Sequence, residues 1–438
     1  MSRRTQAFVP ATRTLLLALV ASLVLAVAAA DSAHAAPNTY TTLSAYAGGS
    51  SLIIDAAGNP VVAYRSALDT RLKMLRCNDP YCTGGGESLT STDPQAGQWP
   101  SVTLDTAGYP VVAYYTTVYD KLKLLHCNDA TCAGTETIST PDPGNFLLEF
   151  PISMVLDASG NPVIAYTPPY ELRILHCNDP LCTGADESIT VHDSNAGAPS
   201  MALDASGNPV VAYYKFSGGV FGTGQLRVMH CNDPNCAGGG ETVTIPDGGP
   251  GIWPSLKLDA SGFPVIAYYT GSTTRDLKVM HCNDVNCSGT NEATNTPDSN
   301  GDVGAQPSLA LDGGHPRVSY RDETNGDLKL LRCNDADCAP GGDPIVSLDA
   351  AADSGERSSL RLDASGYPAV TFDSGSDLKL LRCGSSVCAD GVGGLTELPV
   401  VVAPEASGLS SVLLIAIAAI TAGAIGLAAT LRLRRARR

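Results

Sequence analysis

The chain has 438 residues, with 28 Lys and Arg against 44 Asp and Glu, a net charge of −16. Charged residues make up only 16% of it, and the 44 Gly and 29 Pro fall as turns between short apolar runs. That pattern belongs to an all-β protein rather than a helical one. Both ends are basic, so the middle is more acidic than the whole. It repels phosphate backbones, which excludes nucleic acid as a partner.

Residues 1–36 open with Arg3, Arg4 and Arg13, continue with an apolar run from Leu15 to Ala30, and end in Ala33-His34-Ala35. This is the pattern of a secretory signal peptide cut near Ala35 or Ala36.

From residue 37 to 402 one phrase recurs seven times. Ser-Leu-x-Leu-Asp is followed by a Gly-x-Pro turn and then Val-Val-Ala-Tyr, with its aspartate at Asp55, Asp105, Asp157, Asp204, Asp259, Asp312 and Asp363. The units begin near Ser51, Ser101, Ser153, Ser200, Ser255, Ser308 and Ser359. Each runs on into Leu-Lys-Leu-Leu-His/Arg-Cys, a short loop, a second cysteine and a Thr/Ser-rich stretch. In the fourth copy the predicted strands are Ser200–Asp204, Val210–Tyr214, Leu226–Cys231 and about Glu241–Ile245. The second strand is apolar on both faces, so its sheet must be covered on both sides.

Seven four-stranded units in register resemble the blades of a seven-bladed β-propeller. A β-solenoid is the alternative with a longer repeat. The ring would be closed by Thr39–Thr42 completing the last blade, with Leu395–Val401 as the other candidate.

All 14 cysteines fall in these units as Cys-x4-Cys pairs: Cys77/Cys82, Cys127/Cys132, Cys177/Cys182, Cys231/Cys236, Cys282/Cys287, Cys333/Cys338 and Cys383/Cys388. Each pair brackets the turn from strand three to strand four. Its two Cα atoms are expected to face each other across a hairpin, within disulfide range, and export favours oxidation. A zinc site needs four ligands and each blade offers two cysteines. Just before the first cysteine stand Arg76, His126, His176, His230, His281, Arg332 and Arg382. Sheets pack about 10 Å apart, too far for these histidines to share an ion, so each is expected to hold an aspartate or a backbone carbonyl.

The opposite face of the ring carries the variable loops, where specificity is expected. Candidate ligand-binding residues there are Arg65, Tyr115, Tyr214, Tyr269 and Arg321 at the ends of second strands, with Trp99 and Trp253 before the Pro-Ser that opens a blade. Phe216 and Phe221 are expected to be exposed in the long loop Lys215–Gln225, and Phe146, Leu147, Leu148 and Phe150 occupy the link between blades two and three. The same face has Asp93, Asp142, Asp193, Asp247 and Asp298. These suit turn initiation, with calcium as the one cofactor to consider at Asp298–Asp302, although full calcium-loop spacing is missing.

No nucleophile elbow, zinc-protease motif or phosphate loop occurs. The sequence therefore predicts no enzyme but a binding or adhesion module for an extracellular glycan or protein. A sialidase-like glycoside hydrolase, or another propeller hydrolase, is the alternative.

Residues 403–408 form a linker. Leu409–Leu431 is uncharged and long enough to cross a bilayer, and the five arginines in 432–438 would stay cytoplasmic. Pro404-Glu405-Ala406 before this span resembles the Pro-Glu-Pro sorting signals of bacterial exosortase systems, departing at Ala406. The expected location is the cell envelope, anchored by one C-terminal helix with the repeat domain outside.

Overall fold

The computed structural model describes residues 37–388, apart from short stretches at 46, 95, 117–120, 145–149, 185, 218–223, 272–273, 290 and 351–352. The signal peptide, linker, membrane span, basic tail and Leu395–Val401 lie outside the described residues. So do Phe146, Leu147, Leu148 and Phe221. No helix among the described residues is long and apolar enough to cross a membrane.

The described residues form seven four-stranded antiparallel sheets, the blades of a β-propeller. In blade 4 the strands are Ala196–Leu203, Pro209–Phe216, Gly224–His230 and Thr242–Thr244, from the inside outwards. Blade 7 contains Ser354–Leu362, Pro368–Ser374 and Asp377–Arg382, and takes its outer strand, Thr39–Ser44, from the start of the domain. Asn38 seals this junction: its side chain donates to the Cys388 carbonyl (3.0 Å) and accepts from the Gly384 N–H (3.0 Å).

The doubly apolar second strand now has a physical cause. In Val111-Val112-Ala113-Tyr114 of blade 2, Val112 and Tyr114 pack against blade 1, while Val111 and Ala113 pack against blade 3. The period-2 alternation of a strand thus feeds two separate cores. The seven cores run around the ring, and the last joins Leu52, Val62 and Tyr64 of blade 1 to Ala369, Leu378 and Leu380 of blade 7.

The repeated serine closes a second ring. Ser51 Oγ accepts from the Val102 N–H (3.1 Å), and Ser101, Ser153, Ser200, Ser255 and Ser308 repeat the bond to Met154, Met201, Leu256, Leu309 and Leu360. Ser359 completes the circle by accepting from the Leu52 N–H (3.1 Å). Every inner strand is therefore tied to the next by one hydroxyl.

Each cysteine pair forms a disulfide within its own blade: Cys77–Cys82, Cys127–Cys132, Cys177–Cys182, Cys231–Cys236, Cys282–Cys287, Cys333–Cys338 and Cys383–Cys388, with Cα atoms 4.9–5.1 Å apart. Their placement corrects one detail of the sequence reading. The bridges do not link strand three to strand four across a hairpin. The first cysteine directly follows strand three, but the second lies in the loop, well before strand four begins at Ser88, Thr137, Ser188, Thr242, Ala293 or Ile345.

Cys82, Cys132, Cys182, Cys236, Cys287, Cys338 and Cys388 all take a left-handed backbone, with φ between 48° and 54°. That conformation turns the chain back on itself, so the sulfur meets its partner inside one tight turn. All fourteen cysteines are buried. Cys132, for example, packs in the core between blades 1 and 2, Cys287 in that between blades 4 and 5, and Cys338 in that between blades 5 and 6. The disulfides are therefore part of the scaffold's packing.

The residue before the first cysteine works as the sequence suggests in six blades; blade 6 departs, because its turn aspartate, Asp312, is held by Arg317 rather than by Arg332. His126 Nε2 meets Asp105 Oδ2 at 3.1 Å, and its Nδ1 reaches the Pro180 carbonyl of the next blade at 3.1 Å. Arg76 likewise holds Asp55 (2.7 Å) and the Ala130 carbonyl (3.2 Å).

Phe216 departs from expectation. It is buried, because strand pairing continues through Lys215 with Gln225 and Phe216 with Gly224. Its ring meets Tyr170 edge-on at 5.4 Å and lies 6.3 Å from Phe150.

Candidate functional site

The seven inner strands surround a central channel of about 230 Å³. In six blades the inner strand carries a bulge just before its repeated serine, between Gly48 and Ser50, Gln98 and Ser101, Gly197 and Ser200, Ile252 and Ser255, Ala305 and Ser308, and Glu356 and Ser359. The bulged residue, two before the serine, takes a left-handed backbone: Gly49 (φ 64°), Trp99 (49°), Ala198 (51°), Trp253 (50°), Gln306 (50°) and Arg357 (49°). Blade 3 has Pro151 at this level. A bulky residue held at positive φ is uncommon, and such strain concentrates at ligand sites. Here it sets one residue in each of these six blades on the channel wall, and both tryptophans of the chain are among them. No cysteine lines the channel or its recess among the described residues.

Trp253 stacks on Tyr269, with centroids 6.1 Å apart and planes 11° from parallel. The Tyr269 hydroxyl donates to Asp302 Oδ1 (2.5 Å). Across the channel, Trp99 forms one wall of a side recess of about 450 Å³ that also holds Arg65, Gln98, Arg357 and Ser376. Arg65 has no carboxylate within ion-pair distance among the described residues, and its buried Nε has no hydrogen-bond partner.

Arg357 is aimed by its surroundings. Its Nε donates to Asp373 Oδ2 (2.7 Å), Nη2 lies 3.4 Å from Glu356, and its backbone N–H donates to Gln306 Oε1 (2.6 Å). Burial pushes the Asp373 carboxyl above the usual carboxylate range, against the pull of Arg357 and the Gly49 N–H. Glu356 has a side chain 40% exposed. One guanidinium thus sits between a buried carboxyl and one that is partly open to water.

The structure brings Arg65, Trp99 and Trp253 to this mouth, with Tyr269 behind Trp253. It places the remaining candidates in the packed blades. Tyr115 and Tyr214 are each 1% exposed, Tyr115 between blades 2 and 3 and Tyr214 in the aromatic cluster with Phe150 and Phe216. Arg321 is buried and held by Glu323 (2.9 Å) and Asp353 (2.9 Å). Sequence reasoning misses Arg357 and Gln306. Aligning the repeat on its serine exposes them, because the position two residues earlier reads Gly, Trp, Pro, Ala, Trp, Gln, Arg around the ring.

The aspartates considered for calcium have other partners. Asp298 accepts from Tyr320 (2.7 Å) and Lys329 (3.3 Å), and Asp302 faces Tyr269 and Arg275. Asp93, Asp142, Asp193 and Asp247 each bind a tyrosine and a Lys or Arg of the next blade, as in Tyr114 (2.9 Å) and Lys123 (2.6 Å) on Asp93. Glu87 and Glu187 lie near cysteine sulfurs, but those sulfurs are consumed in disulfides.

No family model matches the chain, and no curated protein matches its sequence. Solved structures do match its fold. An ulvan lyase, a polysaccharide lyase with a bound saccharide, aligns at TM-score 0.50 and 12% identity, covering 78% of this chain and 95% of that one. An α-L-arabinanase of Penicillium chrysogenum complexed with arabinobiose gives TM-score 0.46 at 11% identity, over 78% and 97% of the two chains. A protein of unknown function from Dyadobacter fermentans gives 0.45 at 10% identity, over 80% and 98%. At these identities the likeness is one of fold. It corrects one expectation all the same. The missing catalytic motif points, in the sequence, to a protein that is no enzyme. A polysaccharide lyase shares this ring, so the lack of a local motif does not carry that conclusion.

Proposed function

We propose that this protein is a glycan-cleaving enzyme of the cell envelope whose substrate carries acidic groups. The observation that carries this reading is the composition of the mouth: two tryptophans, Arg65 and Arg357 on its walls, and no acidic residue among the described residues lining the channel or its side recess. Aromatic faces stack on sugar rings through their apolar bodies. A guanidinium recognises a carboxylate or sulfate with two parallel hydrogen bonds. In a chain of net charge −16, cations on the wall of a cavity gather anions that the rest of the surface repels. Similarity of fold to an ulvan lyase is in keeping with this.

In this reading Trp99 and Trp253 form the stacking platforms, while Arg65 and Arg357 take the acidic substituent. Hydrolytic glycan cleavage uses a pair of carboxyl groups. Asp373 and Glu356, which flank Arg357 outside the lining of the channel and recess, are the two carboxyls held against its guanidinium, and this reading assigns them as that pair. Export through residues 1–36 and anchoring through Leu409–Leu431 would hold the ring outside the membrane.

The test is turnover and retention on uronate-bearing, sulfated and neutral polysaccharides. Wild type should release new chain ends from an acidic glycan. Arg65→Ala should weaken binding roughly 10- to 100-fold, the range of a charge-assisted hydrogen bond. Trp99→Gly restores the residue that blade 1 carries at this level and should abolish retention without unfolding the ring. Glu356→Gln should stop turnover and leave retention intact. Equal or better use of neutral glycans would overturn the assignment.

A further inference from the structure

Below the mouth, the channel has a second level, set by the middle residue of Ser-Leu-x-Leu-Asp. Around the ring it reads Ile53, Thr103, Val155, Ala202, Lys257, Ala310 and Arg361. Five of these are apolar or neutral and two are cations, and both cations line the channel. Among the described residues neither has a carboxylate partner. The Lys257 side chain takes part in no ion pair or hydrogen bond, and the Arg361 side chain makes a single one, from Nη1 to the Leu360 carbonyl (2.8 Å). Their nearest acids along the chain are occupied: Asp259 by His281 (3.1 Å) and Asp363 by Arg382 (2.9 Å). Burial pushes the Lys257 amine down to about 8, and the neighbouring Arg361 charge pushes the same way. Two like charges facing one cavity without a counter-ion are costly. In blades 4 and 6 alanine fills the same level, so packing does not demand a cation here.

We propose that Lys257 and Arg361 form an oxyanion-binding site inside the central channel, at a level of the same cavity below Trp99 and able to take a sulfate, phosphate or carboxylate group. Such a group neutralises both cations at once and accepts hydrogen bonds from the ammonium and the guanidinium. The oxyanion could arrive free from solution or as a substituent of a longer anionic chain. The channel level and its chemistry are the same for both. The proposal stands apart from the glycan-cleavage reading, because it rests on other residues.

Purified full-length protein should be titrated with sodium sulfate and sodium phosphate, against sodium chloride at matched ionic strength, by thermal unfolding and calorimetry. The expected result is a saturable rise in Tm with sulfate or phosphate that chloride does not give. Lys257→Ala or Arg361→Ala should weaken it at least tenfold, and the double variant should lose it. Both variants place in blades 5 and 7 the alanine that blades 4 and 6 already tolerate, so folding is retained. An oligoglucuronate forms a separate arm. Weaker binding to the double variant, with competition by sulfate, identifies a substituent as the oxyanion. Binding untouched by either, alongside the sulfate response, identifies a free ion. A shift equal in chloride, or one kept by the double variant, overturns the proposal. Trp99→Gly should leave the sulfate response unchanged while removing glycan retention, so failure of one reading is distinguishable from failure of the other.

Discussion

Ser255 represents the most repeated single contact in the molecule. Its hydroxyl accepts the Leu309 N–H at 3.0 Å, and Leu309 is 1% exposed, so no water can replace the bond. Leaving a buried N–H unsatisfied costs about 1–3 kcal/mol. Ser255→Ala should therefore lower the unfolding free energy by about 1–2 kcal/mol in urea titration without changing the fold. That serine is visible in the sequence as a repeat, but its role is not, because its partner lies a full blade away. The same holds at the mouth. Nothing in the identities Trp99, Gln306 or Arg357 signals a left-handed backbone. Glycine at position 49 is the one residue of the set that normally marks it. Arg321 is misplaced by sequence for the opposite reason: its carboxylate partners, Glu323 and Asp353, come from a loop and the neighbouring blade and cannot be paired by spacing.

At the level of elements, the repeated turn and the cysteine loop form one device on the face opposite the mouth. The turn aspartate accepts from N–H groups two and four residues on, as Asp204 does from Ser206 and Asn208 (both 2.8 Å), and pairs with His230. Burial works to raise the Asp157, Asp204 and Asp259 carboxyls, but these N–H bonds and the paired histidines outweigh it and hold them below their ordinary value. A carboxyl depressed in the folded state stabilises above its unfolded pKa, about 3.9, and this contribution is lost as pH falls through the folded value. The urea midpoint should thus hold level from pH 6 to about 4.5 and decline below about 4. Each disulfide closes a very short loop, worth about 2 kcal/mol on the chain-entropy model. Replacing Cys231 and Cys236 together by serine should cost about that much, read by denaturation of the variant. The disulfide pairings are legible because their residues sit close along the chain. The left-handed turn that holds Cys132, Cys287 and Cys338 is not, since nothing in a cysteine announces a positive φ. Phe216 escapes the sequence reading because strand pairing outlasts the phrase that announces it.

The whole molecule depends on its seam. Blade 7 is completed only by Thr39–Ser44, and the core between blades 7 and 1 is sealed by that strand's neighbours. A chain beginning at Ala47 should lose cooperative unfolding and become sensitive to protease first in Pro368–Arg382, which mass spectrometry of early fragments would reveal. A truncated protein with an unchanged melting transition would contradict the seam's importance. The sevenfold repeat makes the closed ring legible, since identical two-faced strands need cover on both sides. Which terminus closes it rests, in the sequence, on β-prone composition alone, and pairing of Thr39 with Arg382 decides it.

That pairing also governs how the protein comes into being. The strand synthesised first has its partner among the last residues of the ring, across a separation of more than three hundred positions. Contacts so remote along the chain form slowly. A nascent chain emerging vectorially can therefore assemble six blades but must leave its leading strand waiting until the final blade has emerged. Any stall in translation or translocation before that moment would leave an open horseshoe, and quality-control proteases would meet it as an unfinished molecule rather than a smaller stable one.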